Sequence, residues 1–178
     1  MERLTEKMVP KPLRPIRILQ FGEGNFLRGF VDYMIDIANE QGIFDGNIVM
    51  VKPRDTGKLD KFHEQDCQYT VSLRGNVDGV GCINNRIVTC VSDVVNPYRE
   101  YEKYGKLAEL ESLRFVVSNT TEAGIVMDES DRFENTPPES FPGKLTRFLY
   151  HRFQFFEGDK SKGLIILPVE LIDDNGIV

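Results

Sequence analysis

The stretch Ile16-Arg-Ile-Leu-Gln-Phe-Gly-Glu-Gly-Asn-Phe-Leu-Arg-Gly-Phe30 decides the fold. A β-prone run breaks at Gly22 and Gly24, and apolar residues then recur at helical spacing. These apolar residues are Phe26, Phe30, Met34 and Ile37. The order predicts a strand over 16–21, a tight turn and a helix over about 25–41 that Gly42 ends. Such a turn directs free backbone N–H groups, at the positive end of a helix, to one point that suits a phosphate.

The glycine pattern is an incomplete dinucleotide fingerprint. In Gly22-x-Gly24-x-x-Leu27 the third glycine, which lets helix and strand pack closely, is a leucine. A glycine turn that binds no ligand is therefore as compatible with this pattern as a nucleotide site. Asn25 and Arg28 favour the nucleotide site, because an amide and a cation in the first helical turn can both face a pyrophosphate.

Three segments together resemble one known family. They are Phe21-Gly-Glu-Gly-Asn-Phe-Leu-Arg-Gly-Phe30, Ser118-Asn-Thr-Thr-Glu-Ala-Gly124 and Ile166-Leu-Pro-Val-Glu-Leu-Ile-Asp-Asp-Asn-Gly176. In this order they are similar to the amino-terminal domain of the mannitol dehydrogenase family. The resemblance implies a Rossmann-like α/β fold, with a doubly wound, mainly parallel sheet and a small antiparallel insertion. It implies a dinucleotide-binding domain over 16–178. Three prolines and alternating charges predict that residues 1–15 form an irregular arm before it.

The resemblance also implies a cofactor and a reaction. The cofactor is NAD, and the reaction interconverts a hexuronate such as D-tagaturonate with its hexonate, D-altronate. The expected cofactor-binding residues are Phe21, Gly22, Glu23, Gly24, Asn25, Phe26, Arg28, Lys52, Asp55, Asn119, Thr120, Thr121 and Glu122. Other members of the family, such as a fructuronate reductase or another polyol dehydrogenase, are alternatives, as is a nucleotide-sensing domain without chemistry. A methyltransferase is disfavoured, because the basic Arg28 suits a pyrophosphate rather than a sulfonium ligand.

The residues at the end of the second predicted strand, 47–52, favour a different cofactor from the one that the family resemblance implies. A dinucleotide domain commonly places an acidic residue there against the ribose 2′-hydroxyl. Here Lys52 and Arg54 come first, and their charges favour a 2′-phosphate and hence NADP. Asp55 can still reach a diol if the loop turns back. The family resemblance implies NAD, and NAD is the cofactor that we expect.

The catalytic residues of the family are expected elsewhere. The resembled family uses a Lys, an Asn and a His at K-x-x-x-x-N-x-x-H spacing in a further helical domain. Neither His63 nor His151 has an asparagine three positions before it, since those positions hold Asp60 and Phe148. We therefore expect no catalytic residue and no helical catalytic domain within these 178 residues. Glu122 and Asn175 are expected only at the edge of the substrate site.

Composition narrows the functional classes. A net charge of −6 argues against a nucleic-acid-binding surface, and no apolar run approaches the ~20 residues of a membrane helix. The charged start of the chain does not resemble a signal peptide, so a cytoplasmic protein is expected. The small sugar-acid substrate is implied by the family resemblance. Three cysteines without C-x-x-C spacing predict neither a disulfide framework nor a thiolate metal site. His63 and Cys67 resemble half of a metal site, but two histidines make a full ligand set improbable, and no metal is expected.

The remaining pattern predicts supporting elements. Strands are expected over 69–73 and 86–91 as the antiparallel insertion, and over 113–118 and 163–167 as buried strands. Asn96-Pro97 predicts the start of a helix. Residues 128–142 are expected to form a surface loop without chemistry, and the aromatic stripe that follows, from Leu145 to Phe156, is expected to face the core.

Overall fold

The stretch around Gly22 forms the predicted strand, turn and helix. In the computed structural model, which describes residues 3–120, 124–126, 128–173 and 175, strand β1 spans Ile16–Phe21. Helix α1 follows as three continuous segments: Asn25–Leu27, a π-helical turn over Arg28–Asp32, and Tyr33–Glu40. Gly42 lies just beyond its end with a φ of +69°, a left-handed conformation that glycine adopts without strain.

The main sheet has five parallel strands. Besides β1 it contains β2 (Asn47–Val51), β5 (Val91–Val95), β6 (Phe115–Ser118) and β7 (Ile165–Pro168). Their order across the sheet is β5-β2-β1-β6-β7. The chain thus builds one side of the sheet outward from β1 and then returns to build the other, which is the doubly wound arrangement. The predicted fold class is confirmed, and the reversal point between β1 and β6 is where such sheets bind ligands.

The antiparallel insertion is a hairpin of β3 (Tyr69–Val77) and β4 (Val80–Val88). It is longer than predicted because Asp78 and Gly79, both at positive φ, form a two-residue turn that continues the pairing to the tip. The predicted strand over 86–91 was wrong in its position. Residues 86–88 end the hairpin, and Val91 begins β5, which pairs with β2 in the main sheet.

The helices α2 (Asp60–His63), α3 (Tyr101–Leu107) and α4 (Phe141–Phe155) complete the framework, with a 3₁₀ turn at Lys160–Lys162. The prediction that Asn96 begins α3 is wrong, because the N-cap residue of this helix is Glu100. Oδ1 of Asn96 instead accepts a hydrogen bond from the N–H of Tyr98 at 3.0 Å and closes a turn. Helix α4 begins earlier than predicted because Ser140 caps it, with Oγ accepting from the N–H of Gly143 at 3.0 Å.

Two apolar layers cover the two faces of the sheet, because successive strand residues point to opposite sides. One layer contains Ile18, Ile48, Met50, Val94 and Val117 and packs with Leu27, Tyr69 and Cys90. The other contains Leu19, Phe21, Val49, Val95 and Val116 and packs with Tyr104 of α3 and Phe148 of α4. Both faces of the sheet are therefore covered near its centre.

Apolar side chains are exposed at several places on α1, β7 and α4. Along α1 the apolar side chains of Phe26, Phe30 and Met34 are about half exposed, whereas Asp32 and Asp36 are buried. Asp32 and Asp36 occupy inward positions because their carboxylates accept hydrogen bonds from residues of the hairpin and its flanks. Leu27, Val31 and Ile35 also face inward and pack against the apolar core. The side chains of β7 and of Phe153 on α4 are exposed, although both were predicted to face the core. Among the described residues, no helix has the length and apolarity needed to cross a membrane.

Candidate nucleotide-binding site

A cavity of about 670 Å³ lies beyond the carboxyl ends of β1, β2 and β6. The turn after β1 supplies Gly22, Glu23 and Gly24, and the loop after β2 supplies Pro53 and Arg54. The segment after β6 and the approach to α4 close the other sides. Parallel strands end at one edge of the sheet, so segments far apart in sequence meet there. The cavity is where the sheet topology predicts a ligand.

Gly22 is the residue on which the turn depends. Its φ is +121°, and a Cβ atom at this position would lie 3.2 Å from Cδ1 of Leu27. Its N–H donates to the carbonyl of Val51 at 3.0 Å, and its carbonyl accepts from the side-chain amide of Gln20 at 3.1 Å. Only glycine combines this backbone conformation with this space. Leu27, where the complete fingerprint has glycine, packs beneath the turn and is 1% exposed.

Gly24 begins helix α1 and leaves its end open. It is the N-cap residue, with an extended backbone, and it has no side chain to bond the first N–H groups of the helix. A Cβ atom added here would meet no other atom within 4 Å. The first turn of α1 therefore presents free N–H groups, at the positive end of the helix, beside an open cavity.

The segment after β6 forms the opposite side of the cavity. Asn119 and Thr120 line it, and both bond to residues that directly follow β7. The Asn119 side-chain amide donates to the carbonyl of Val169 at 2.7 Å, and the N–H of Thr120 donates to a carboxylate oxygen of Glu170 at 3.3 Å. Asn175 also donates to Glu170, at 3.0 Å to its carbonyl and 3.2 Å to its carboxylate. Glu170, which is 6% exposed, thus organises this side.

The charged residues after β2 are separated by the structure. Lys52 is buried, its Nζ donates to the carbonyl of Thr56, and it lies 4.0 Å from Glu23. The Asp55 carboxylate accepts a hydrogen bond from Asn96 at 2.9 Å and lies 3.4 Å from Arg99. Neither residue lines the cavity, whereas Arg54 does. Lys52 and Asp55 thus make contacts within and beside the loop and do not face the cavity.

Four predicted residues around the glycine turn lie outside the cavity lining. Phe21 is fully buried and packs edge-on against Phe141, with ring centroids 5.0 Å apart. Asn25 accepts a hydrogen bond from Arg28, and Phe26 is exposed beside Phe30. The Arg28 guanidinium lies 5.5 Å and 5.4 Å from the ring centroids of Phe62 and Tyr69. In this arrangement Arg28 is held against an aromatic pair and does not point into the cavity.

Behind this aromatic pair lies a buried carboxyl group. Asp32, in the π-helical turn of α1, has no exposed surface and accepts a hydrogen bond from the Tyr69 hydroxyl at 2.5 Å. Its other carboxylate oxygen, Oδ1, is buried without a hydrogen-bond partner among the described residues. Burial raises the pKa of Asp32 to about 7, against the opposing effects of Tyr69, Gln20 and Arg28.

The approach to α4 was predicted to be a surface loop without chemistry, but its end forms a wall of the cavity. Glu139, Ser140 and Phe141 all line it. Lys144, fully buried, holds this wall by donating from Nζ to the carbonyl of Glu139 at 2.6 Å and to the hydroxyl of Tyr98 at 2.9 Å. Burial lowers the pKa of Lys144 to about 8, with Glu139 and Asp131 acting in the opposite direction.

The sequence prediction and the structure agree on part of the site. The predicted residues that line the cavity are Gly22, Glu23, Gly24, Asn119 and Thr120. Thr121 and Glu122 lie outside the described residues. The lining residues that were not predicted include Asp128, Glu129 and Glu139, so that with Glu23 four carboxylates and one guanidinium surround the cavity. The Ser140-Phe-Pro142 sequence, an N-cap followed by proline in the first helical turn, is the signal that marks this wall.

Comparison with known proteins identifies similar sequences. The family model described as "Mannitol dehydrogenase Rossmann domain" matches residues 16–178. A protein of Bacillus subtilis (strain 168) named altronate oxidoreductase is 50% identical over 162 residues, which cover 91% of this chain and 34% of that protein. A protein of the same name from Bacteroides thetaiotaomicron is 48% identical over 176 residues, covering 99% of this chain and 37% of that protein. The chain spans about a third of the length of these curated relatives.

Solved structures show the same fold. Mannitol 2-dehydrogenase of Pseudomonas fluorescens, in a ternary complex with NAD and D-mannitol, matches with a TM-score of 0.80 and 17% identity over 99% of this chain and 40% of that chain. A substrate-free D-sorbitol dehydrogenase matches with a TM-score of 0.74 and 20% identity over the same shares of the two chains. At these identities the likeness establishes the architecture of the domain and no more.

Proposed function

This chain belongs to the mannitol dehydrogenase family, and on that basis we propose that it forms the cofactor-binding part of an NAD-dependent oxidoreductase that interconverts D-tagaturonate and D-altronate. The observation that carries the proposal is the open glycine turn beside the cavity at the reversal point of the sheet. The substrate rests on the altronate oxidoreductases that are 50% and 48% identical to this chain. The choice of NAD rests on the family resemblance.

The residues around the cavity fit a dinucleotide. The pyrophosphate would lie at Gly22 to Gly24, where Gly24 leaves open space and the first N–H groups of α1 have no side-chain cap. Carboxylates would accept hydrogen bonds from ribose hydroxyls, for which Glu23 and Glu139 are placed on the lining. When bound, the nicotinamide ring would supply or accept the hydride.

The far side of the cavity would face the substrate. Asn119 and Thr120 are fixed by Val169 and Glu170, so their polar groups keep one position without a ligand. Asn175 is bonded to the same Glu170, which supports its proposed place at the edge of the substrate site. Glu122 is proposed for the same edge from the family resemblance alone. The role of these residues would be to orient the sugar acid, because a small misplacement of reacting atoms costs a large factor in rate.

The proposal is tested by cofactor titration with a matched pair of variants. NADH fluorescence is followed on addition of the wild-type chain, of Gly24→Val and of Gly75→Val. A Cβ atom meets nothing within 4 Å at either glycine. Gly75 lies in strand β3, away from the cavity, where a β-branched residue is well tolerated. Both variants should therefore fold, and only Gly24→Val places atoms in the proposed path of the pyrophosphate.

We expect the wild type and Gly75→Val to bind NADH equally, and Gly24→Val to bind at least about tenfold more weakly, which corresponds to ~1.4 kcal/mol. S-adenosylmethionine should not raise the unfolding temperature of the wild type, whereas NADH at a large excess over its dissociation constant should raise it. Equal affinity of the two variants would remove the glycine turn from the site. Stabilisation by S-adenosylmethionine alone would replace the dehydrogenase proposal with the methyltransferase reading.

A further inference from the structure

A cluster of three potential metal ligands lies apart from the cavity. It consists of His63 at the end of α2, Cys67 four residues later, and Asp93 in the middle of the edge strand β5. The ligand atoms of the three side chains all lie within 4.8 Å of one another. From the sequence only His63 and Cys67 were recognised as half of a site. Asp93 was missed because it is distant in the chain and is brought in by the pairing of β5 with β2.

The spacing of the three ligand atoms is close to that of a tetrahedral site. Ligands at zinc distances of ~2.0–2.3 Å are separated from one another by about 3.3–3.8 Å. Closing the cluster around an ion therefore requires movements of about 1 Å. The imidazole of His63 is exposed and free to turn, and within the described part of the chain neither it nor the Cys67 thiol makes a hydrogen bond. The two groups have no competing partner to give up.

The Lys11 side chain links the segments that carry the cluster. Lys11 of the N-terminal arm donates from Nζ to the carbonyls of Asp66, Val91 and Ser92, at 2.7, 3.2 and 3.4 Å. It thereby ties the turn that carries Cys67 to the start of the strand that carries Asp93. In that turn both Asp66 and Cys67 have left-handed backbones, with φ of 50° and 59°. Such conformations are unfavourable for non-glycine residues and persist only where the surroundings enforce them.

From this arrangement we infer that His63, Cys67 and Asp93 bind a divalent transition-metal ion, with zinc the best match, and water in the fourth position. A nitrogen, a sulfur and an oxygen ligand suit a borderline-soft ion and not Mg²⁺ or Ca²⁺, which prefer oxygen alone. With the thiol ionised, the thiolate and the carboxylate balance the two charges of the ion. The thiol proton would leave to solvent on binding.

The groups around the cluster set a cost that the bound ion has to offset. The Cys67 thiol is 3% exposed, and burial raises its pKa to about 11, while the cations of Lys11 and Lys103 act in the opposite direction. Without a metal the thiol is therefore protonated and unreactive at neutral pH. Lys103 lies 2.8 Å from Asp93 and would give up part of that contact, but it keeps Glu100 at 3.2 Å. The bound ion would cross-link the turn after α2 to the edge strand β5.

The test uses two variants of the cluster, each with a matched control elsewhere in the chain. His63→Ala is compared with His151→Ala, since both imidazoles are at least partly exposed, and Cys67→Ser is compared with Cys82→Ser. Each chelator-treated protein is titrated with Zn²⁺ by calorimetry, and then with Co²⁺ to record the absorption of a cobalt–thiolate bond. Mg²⁺ is titrated in parallel.

We expect one zinc ion per chain, a higher unfolding temperature with zinc, and no response to Mg²⁺. His63→Ala should weaken zinc binding at least about tenfold. The cobalt–thiolate absorption should survive in Cys82→Ser and disappear in Cys67→Ser. The result for Cys67→Ser counts only if that variant folds, because Cys67 is buried. His63→Ala provides an independent test, because His63 is exposed. Absence of saturable zinc binding by the wild type, or full affinity in His63→Ala, would overturn the inference.

Discussion

Asp32→Asn should stabilise the protein at neutral and alkaline pH and remove a large part of its pH dependence. Asp32 has no exposed surface, and its pKa is raised by burial from 3.8 to about 7. The folded chain therefore binds this proton more tightly than the unfolded chain does. Below about pH 4 both states are protonated, and above about pH 7 both are ionised, so the cost of burying the charge develops between these values.

The size of the effect follows from the two pKa values. The difference between about 7 and 3.8 corresponds to about 4 kcal/mol, at ~1.4 kcal/mol for each tenfold change in proton affinity. Between about pH 5 and about pH 8 the free energy of unfolding of the wild type should fall by roughly 3 kcal/mol through Asp32 alone. Asparagine has nearly the same shape and no charge. The stability of Asp32→Asn relative to the wild type should therefore rise by the same amount over this range.

Urea denaturation of both proteins at about pH 5, 6, 7 and 8 measures the difference, because the other titrating groups cancel between them. Asp36→Asn is the control on the same helix. The Asp36 carboxylate is 2.7 Å from Arg86 and accepts from the N–H of Thr89 at 2.8 Å, so its charge is partnered. Its removal should destabilise the protein at each of these pH values, by about 1–3 kcal/mol. Parallel stability profiles for the wild type and Asp32→Asn would refute the assignment of a raised pKa to Asp32.

Three further predictions concern the framework and the proposed site. Arg152→Met should lower the free energy of unfolding by at least about 3 kcal/mol in urea denaturation, because the buried guanidinium donates to the carbonyls of Ala108, Leu110, Leu113 and Lys162; a loss below ~1 kcal/mol would contradict this role. NADH should bind more tightly than NADPH in parallel titrations, since Lys52 is engaged by Thr56 and only Arg54 reaches the cavity; tighter binding of NADPH would assign Arg54 to a 2′-phosphate. The 178-residue chain should bind NADH without oxidising altronate, because its sequence lacks the Lys, Asn and His spacing of the family; turnover followed by NADH absorbance would place the chemistry on its own residues.

The sequence by itself was sufficient for the local elements near the glycine turn and for the class of fold. Ile16 to Phe21, Gly22 and Gly42 were assigned correctly because their signals are local: a β-prone run, a residue needed at positive φ, and a helix stop. The mainly parallel sheet was implied by the resemblance of three sequence segments to the mannitol dehydrogenase family. The predicted site residues that line the cavity lie directly after strands, where strand position alone determines location.

Tertiary structure decided the direction in which side chains point and which distant segments meet. Periodicity places Phe26, Phe30 and Met34 on one face of α1 but does not say which face turns inward, and the polar partners of Asp32 and Asp36 in the hairpin select the other one. Arg28 was expected at a pyrophosphate, yet the rings of Phe62 and Tyr69, about 35–40 positions later in the chain, hold it elsewhere.

The cavity wall at Glu139 and the cluster of His63, Cys67 and Asp93 also depend on contacts between distant segments. The wall at Glu139 reaches the glycine turn only because α4 packs on the same face of the sheet as Phe21, with Phe141 against its ring. Asp93 reaches His63 and Cys67 only because β5 pairs with β2 and Lys11 bridges the two segments. Composition and spacing do not reveal such contacts. The contacts are set by the free energy of packing the whole chain and not by any local stretch.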